Sequence, residues 1–255
     1  MPRLRDNKLR ILYVVCDHQG CGWYRCILPA FFMGKSGLIH AVCMSELMIA
    51  DAYNYDIVVF QRHFEERINP FFKAVRDSGA TVVYEMDDDF FNIRPANPAY
   101  SLVSKKDKEN VKNLMRSAHA VVVSTEPLVN VYKSFNKNIH VCPNMVEVDH
   151  AYLDSKKYDF TTINFVYAGG PSHGEDFDEM KPSIQMLLDK YGDRIKVFFM
   201  GWCPEPLASD GRVIKVEWKQ IHEYMQTLST FNPHVGIVPL HRNTFNVSKS
   251  NLKFL

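Results

Sequence analysis

Ile11-Leu12-Tyr13-Val14-Val15-Cys16-Asp17-His18-Gln19-Gly20-Cys21-Gly22-Trp23-Tyr24-Arg25 is the stretch on which the fold turns. The apolar run 11–16 reads as a strand covered on both faces, and the segment 24–35 that follows reads as a helix. A strand that passes through a glycine turn into a helix is the opening unit of a parallel, doubly wound sheet. In that setting Gly20 and Gly22 permit positive φ and let a ligand approach the backbone, while the first helix amides point toward an anion. Arg25 would reinforce such a site with a charged fork. Ordinary turn geometry also accounts for the glycines, and helix-start packing with a surface ion pair also accounts for Tyr24 and Arg25. The third glycine of a dinucleotide fingerprint is missing.

Outward from this unit, short apolar runs alternate with amphipathic stretches. Strands are expected over 38–43, 56–61, 81–86, 120–124 and 139–142, with helices over 69–77, 104–117 and 126–135. After a polar stretch at 143–161 the pattern restarts, with strands at 163–168, 195–201, 213–218 and 235–240 and helices at 182–191 and 221–231. The expected architecture is α/β, with two tandem Rossmann-like domains, 1–155 and 156–255. The second is expected to be incomplete, its last segment, 248–255, reading as the first turns of a helix. Two such domains put a ligand crevice between the carboxyl ends of two sheets.

The 255 residues are 46% hydrophobic and 23% charged, which excludes disorder, collagen and coiled coil. Thirty Lys and Arg against 29 Asp and Glu leave a formal charge of +1, so no general field draws the chain to nucleic acid or anionic lipid. No apolar run approaches the roughly 18–20 residues that cross a bilayer, and a soluble, cytoplasmic protein is expected. Cys16, Cys21, Cys26, Cys43, Cys142 and Cys203 form no C-x-x-C pair and read as reduced packing residues.

Four further groups could carry chemistry. Asp87, Asp88 and Asp89 close the fourth strand, where they would hydrogen-bond sugar hydroxyls, hold a cation or supply a base; an acidic helix N-cap is the plainer alternative. Arg62, after the third strand, reads first as a structural ion-pair partner. In the second half, Gly169, Gly170 and His173 follow a strand as a phosphate-facing turn would, with Asp176 as a helix cap. Lys249 and Lys253 are four apart and would share one helix face toward a diphosphate, or else form a solvated basic face.

Taken in order, Gly22-Trp23-Tyr24-Arg25 with Pro29, Tyr84 to Asp89, Val123-Ser124-Thr125-Glu126 with Cys142-Pro143-Asn144, Tyr167 to His173, and Pro239-Leu240 with Lys249 to Leu255 resemble a branch of the GT-B glycosyltransferases. The chain is similar to the group related to glycosyltransferase family 4, with members in bacteria and their phages. The resemblance implies sugar transfer from a nucleoside-diphosphate sugar to a glycan, lipid, protein or nucleic-acid acceptor that the sequence does not name. It implies retention of configuration and no metal or other cofactor, the diphosphate being held by protein cations and helix amides. The donor would lie mainly on the second domain, bordered by Gly169, Gly170 and His173 and neutralised by Lys249 and Lys253, with Gly20 and Gly22 across the cleft. Asp87 to Asp89 fall where relatives place a sugar-contacting histidine. The usual pair of glutamates eight apart is missing: Ser248 stands at the first, and the second would follow Leu255. An inactive relative that only binds nucleotide sugar or glycan is the alternative, and a nucleotide-sugar epimerase or sugar-binding receptor a further one.

Overall fold

The computed structural model describes residues 8–46, 48–147 and 160–252. The domain boundary expected at 155/156 and Lys253 lie outside the described residues.

The first sheet comprises β1 (Leu9–Val14), β2 (Ile39–Met44), β3 (Ile57–Gln61), β4 (Thr81–Met86), β5 (Ala120–Val123) and β6 (Ile139–Val141). Its order is β2-β1-β3-β4-β5-β6, and every neighbouring pair is parallel. The order reverses between β1 and β3, which opens a crevice at their carboxyl ends. The second sheet comprises β7 (Ile163–Gly169), β8 (Ile195–Gly201), β9 (Val213–Val216) and β10 (Val235–Gly236), in the parallel order β10-β7-β8-β9. Here the reversal falls between β7 and β10.

Parallel strands need crossover helices on both faces, and the apolar side chains alternate to meet them. On one face of the first sheet Leu12, Val58, Phe60, Val82, Tyr84 and Val121 pack against α3 (Asn69–Asp77), α4 (Lys105–Ser117) and α5 (Glu126–Tyr132). The other face, with Ile11, Tyr13 and Val59, is covered by Cys26 and Ala30. In the second sheet Tyr167, Val197 and Phe199 meet Ile184 and Leu188 of α6 (Lys181–Tyr191), while Val166 and Met200 face the side of α7 (Ile221–Thr230). Burying one such side chain contributes about 1.5–3 kcal/mol, so the two cores hold the loops between them in place. Ser104 and Asp107 form a reciprocal cap at the start of α4, worth about 1 kcal/mol.

The segment after β1 is helical from Gly20 to Lys35 but not uniformly so: α1 (Gly20–Gly22) and α2 (Leu28–Lys35) flank a π turn at Trp23–Ile27. Trp23 N donates to Gln19 O, the ordinary span of four, whereas Leu28 N donates to Trp23 O across five.

Two elements differ from expectation. The last strand pairs only over Val235–Gly236, with Ile237 N adding one bond to Val166 O at 2.7 Å, and Pro239 has no N–H to extend the ladder. The helix expected from 248 does not begin there: Asn246–Ser248 is a single 3-10 turn and Lys249 is extended, with ψ at 144°. Tertiary bonds take the place of helical ones, since Thr125 Oγ1 donates to Ser248 O and Asn144 Nδ2 to Ser250 Oγ, both at 2.9 Å.

Candidate functional site

The reversal point of each sheet is flanked by two loops, and the side chains singled out in the sequence are concentrated on those loops and on the one after β4. In the first sheet they are the loop after β1, with Gly20 and Gly22, and the loop after β3, with Arg62. They meet directly, Arg62 Nη1 lying 2.7 Å from Cys21 Sγ. In the second they are the loop after β7, with Gly170 and His173, and the loop after β10. Asp176 joins these two, accepting from His173 Nδ1 at 2.6 Å, Asn246 Nδ2 at 2.7 Å and His241 N at 2.9 Å. These bonds hold the Asp176 carboxyl below its ordinary range against the opposing effect of burial.

The two halves touch through these loops and the one after β9. Lys249 Nζ lies 2.6 Å from Asp88 Oδ1, Gln19 Nε2 donates to Gln220 Oε1 at 2.7 Å, and Arg94 faces Glu175 at 3.3 Å. A cavity of about 10 Å³ beside Arg94, Asp176 and Asn246 holds a water at most. The larger cavity, about 460 Å³, lies between α3 and α4, lined by Phe72, Arg76, Asn110 and His119, and is remote from this polar cluster.

The glycine turn after β1 differs from the expected phosphate cradle. Neither Gly20 nor Gly22 has positive φ. Gly22 is required because a Cβ there would stand 1.7 Å from Asp17 O, so the close approach is to the chain itself. Asp17 Oδ1 accepts from Gln19 N at 2.8 Å and Gly22 N at 3.3 Å, and a carboxylate of the protein already meets the amides at the helix start. At Gly20 and Gly170 a Cβ would meet nothing within 4 Å, and at these two the backbone is open to a ligand. Gly169 ends β7, and its carbonyl is crowded by Gly201, whose Cβ would lie 2.6 Å from Gly169 O and whose φ is 96°.

Arg25 does not offer its fork to the cleft. It is buried, with Nε 2.6 Å from Glu85 Oε1 and Nη1 donating to Cys142 O at 2.6 Å and Asn144 Oδ1 at 2.9 Å. Its reach inward from the π turn places it under the sheet ends rather than among them. Asp89 is likewise structural: its oxygens accept from Phe91 N, Asn92 N and Asn92 Nδ2, closing a turn rather than capping a helix. Asp87 and Asp88 do face the cluster. Arg62 Nη1 lies 3.4 Å from Asp87 Oδ1 and 3.8 Å from Asp88 Oδ2. Lys249 and Arg62 together hold the Asp88 carboxyl below its usual value although burial opposes them. Arg62 is an ion-pair partner, as its position after the third strand suggested, whereas Asn144, Thr125 and Asn246 owe their places to partners far away in sequence and were not singled out individually. Among the described residues no group of three or more His, Cys, Asp or Glu could hold a metal ion, and no helix is long and apolar enough to cross a membrane.

No protein-family model matches the chain, and no curated protein does. Solved structures do match. The chain is similar to an alpha-glucosyltransferase in complex with UDP and a 13-mer DNA, at 12% identity over 93% of this chain and 74% of that one, with a TM-score of 0.56. It is similar to Alr3699/HepE from Anabaena in complex with UDP and glucose, at 10% identity over 87% and 72%, TM-score 0.55. A third is UDP-GlcNAc 2-epimerase from Neisseria meningitidis bound to UDP-GlcNAc, at 11% over 90% and 76%, TM-score 0.51. The fold is GT-B. At these identities the likeness concerns the fold alone, and it fits a GT-B arrangement in which two Rossmann-like sheets present their carboxyl ends to each other.

Proposed function

We propose that this GT-B chain binds a nucleoside-diphosphate sugar between its two sheets and transfers the sugar to an acceptor, with retention and without a metal. The observation that carries the reading is the convergence of both reversal points on one polar cluster, with open backbone at Gly20 and Gly170 and a cation from each half, Arg62 and Lys249. That the solved neighbours hold UDP or UDP-sugar supports the ligand class. Because the halves are in contact, the ligand enters by parting them.

In this proposal Gly169, Gly170 and His173 border the diphosphate, His173 oriented by Asp176, while Lys249 and Lys253 neutralise it. The protein then stabilises an oxocarbenium-like sugar and the departing diphosphate with fixed dipoles and cations. Of the three acids, Asp89 is committed to its turn and Asp88 to two cations. Asp87, which faces Arg62 at 3.4 Å but not Lys249, would serve as the base if transfer inverts instead.

Calorimetry with uridine and guanosine diphosphates and their sugars tests binding; no heat for any at millimolar concentration overturns the reading. A second reading, a module that binds nucleotide sugar without turnover, is favoured by one feature: Ser248 stands where the resemblance places the first of two glutamates. Binding without transfer, hydrolysis or epimerisation of the sugar would select it.

A further inference from the structure

Two cations reach one spot from opposite halves of the molecule, and each is built in rather than merely exposed. Arg62 holds a left-handed backbone, φ 56°, which residues with a Cβ avoid, and its N donates to Glu85 O at 3.0 Å. Lys249 is tethered on both sides through Thr125 to Ser248 and Asn144 to Ser250, and its Nζ stands 4.6 Å from the centre of the Phe245 ring. Asp88 is the carboxylate that reaches both cations, with Oδ1 2.6 Å from Lys249 and Oδ2 3.8 Å from Arg62, while Asp87 Oδ1 stands 3.4 Å from Arg62 alone. The main chain that carries it is pinned as well: Ser124 Oγ donates to Asp87 O, and the Tyr132 hydroxyl to Asp88 O. A carboxylate that bridges cations from two domains, as Asp88 does, has the geometry of a bound anion.

We propose that Arg62 and Lys249 form the anion site for the donor diphosphate and that Asp88 is its built-in counter-ion, which the diphosphate must displace. The proposal rests on the nucleotide-sugar reading only for the identity of the ligand. It makes Asp88 a specificity-determining residue. A diphosphate brings several oxygens and more than one charge to replace a single carboxylate, whereas a singly charged anion gains nothing by the exchange. The displaced Asp88 carboxylate is then free to accept a hydroxyl of the sugar beside the diphosphate.

The test is titration of the full chain with inorganic pyrophosphate and, separately, with UDP. Asp88→Asn should bind pyrophosphate about ten-fold more tightly and Lys249→Ala about ten-fold more weakly, each change being one charge-assisted contact. The double variant Asp88→Asn/Lys249→Ala should lose the gain. Asp88→Ser carries the same expectation should the amide disturb folding. Tighter binding in both single variants would overturn the proposal, because the pair would then be only a latch holding the halves together. An unchanged or weaker Asp88→Asn protein overturns it too. Pyrophosphate that follows the expected pattern while UDP binds no variant keeps the anion site and overturns the nucleotide-sugar reading. UDP binding that ignores both substitutions does the reverse.

Discussion

Arg25 Nε and Glu85 Oε1 are 2.6 Å apart, with 3% and 2% of their side chains exposed. The same guanidinium holds Cys142 O and Asn144 Oδ1, so a residue of the π turn ties β4 to the chain leaving β6 and, through Asn144, to Ser250.

Replacing Arg25 by Ala should cost about 3–5 kcal/mol, the usual cost of orphaning a buried polar partner. Burial pushes the Glu85 carboxyl up to about 8 from its ordinary 4.5. An acid raised on folding contributes stability that is full below 4.5 and lost as pH rises through about 8. Urea melts of Arg25→Ala should therefore show a smaller loss at pH 5 than at pH 8. A loss independent of pH would mean that Glu85 keeps its charge in the variant.

Gly22→Ala and Gly20→Ala separate two glycines that look alike in sequence. The first drives a Cβ to 1.7 Å from a backbone oxygen, which cannot rotate away, and should destabilise by about 3 kcal/mol. The second faces open space at a helix start and should be neutral or stabilising by up to about 1 kcal/mol. Thermal denaturation of the pair checks both.

Asp176→Asn should weaken the second domain in a pH-dependent way. The native carboxyl is held below its ordinary value, so its contribution is present above about pH 4 and disappears as pH falls through the depressed value. The stability gap between native and variant should be full at pH 7 and close on acidification. A gap that persists at pH 3 would show that the carboxylate charge is irrelevant to the hub.

Gly170→Ala isolates ligand approach from folding. Its φ of −90° and ψ of 177° suit any residue, and no atom lies within 4 Å of the added carbon, so stability should not change. Affinity for UDP should fall by about ten-fold, or about 1.4 kcal/mol, where the diphosphate lies against this loop. Unaltered affinity would remove Gly170 from the site.

The strands were legible because parallel strands buried on both faces are continuous apolar runs. Thr81–Met86 and Asn69–Asp77 lie where their patterns put them, the latter opened by a proline in its first turn. The chain after 235 was less legible. Its apolar pattern suits a strand, but Pro239 cannot pair, and the helix expected at 248 yields to hydrogen bonds from Thr125 and Asn144, more than a hundred residues upstream. The candidate site shows the same divide. Residue type and position brought Asp88, Lys249 and His173 to notice; His173 meets Asp176 three residues on, but Asp88 and Lys249 are partnered across loops 161 residues apart in sequence. Arg25 carried the right chemistry for an anion and the wrong direction, since its orientation depends on a turn that no periodicity announces.

That turn, Trp23–Ile27, amounts to one surplus residue inside an otherwise continuous helix. Deleting a single residue within it would restore the regular pitch and swing everything on its amino side, Gly20 and the Asp17-bound amides included, by about 100° around the axis relative to α2. The packing of Ala30 under β1 could survive such a shortening, while Arg25 would lose its line to Glu85 and Cys21 its place beside Arg62. A lineage that lost this residue would keep a foldable scaffold and be obliged to reinvent the front of its cleft.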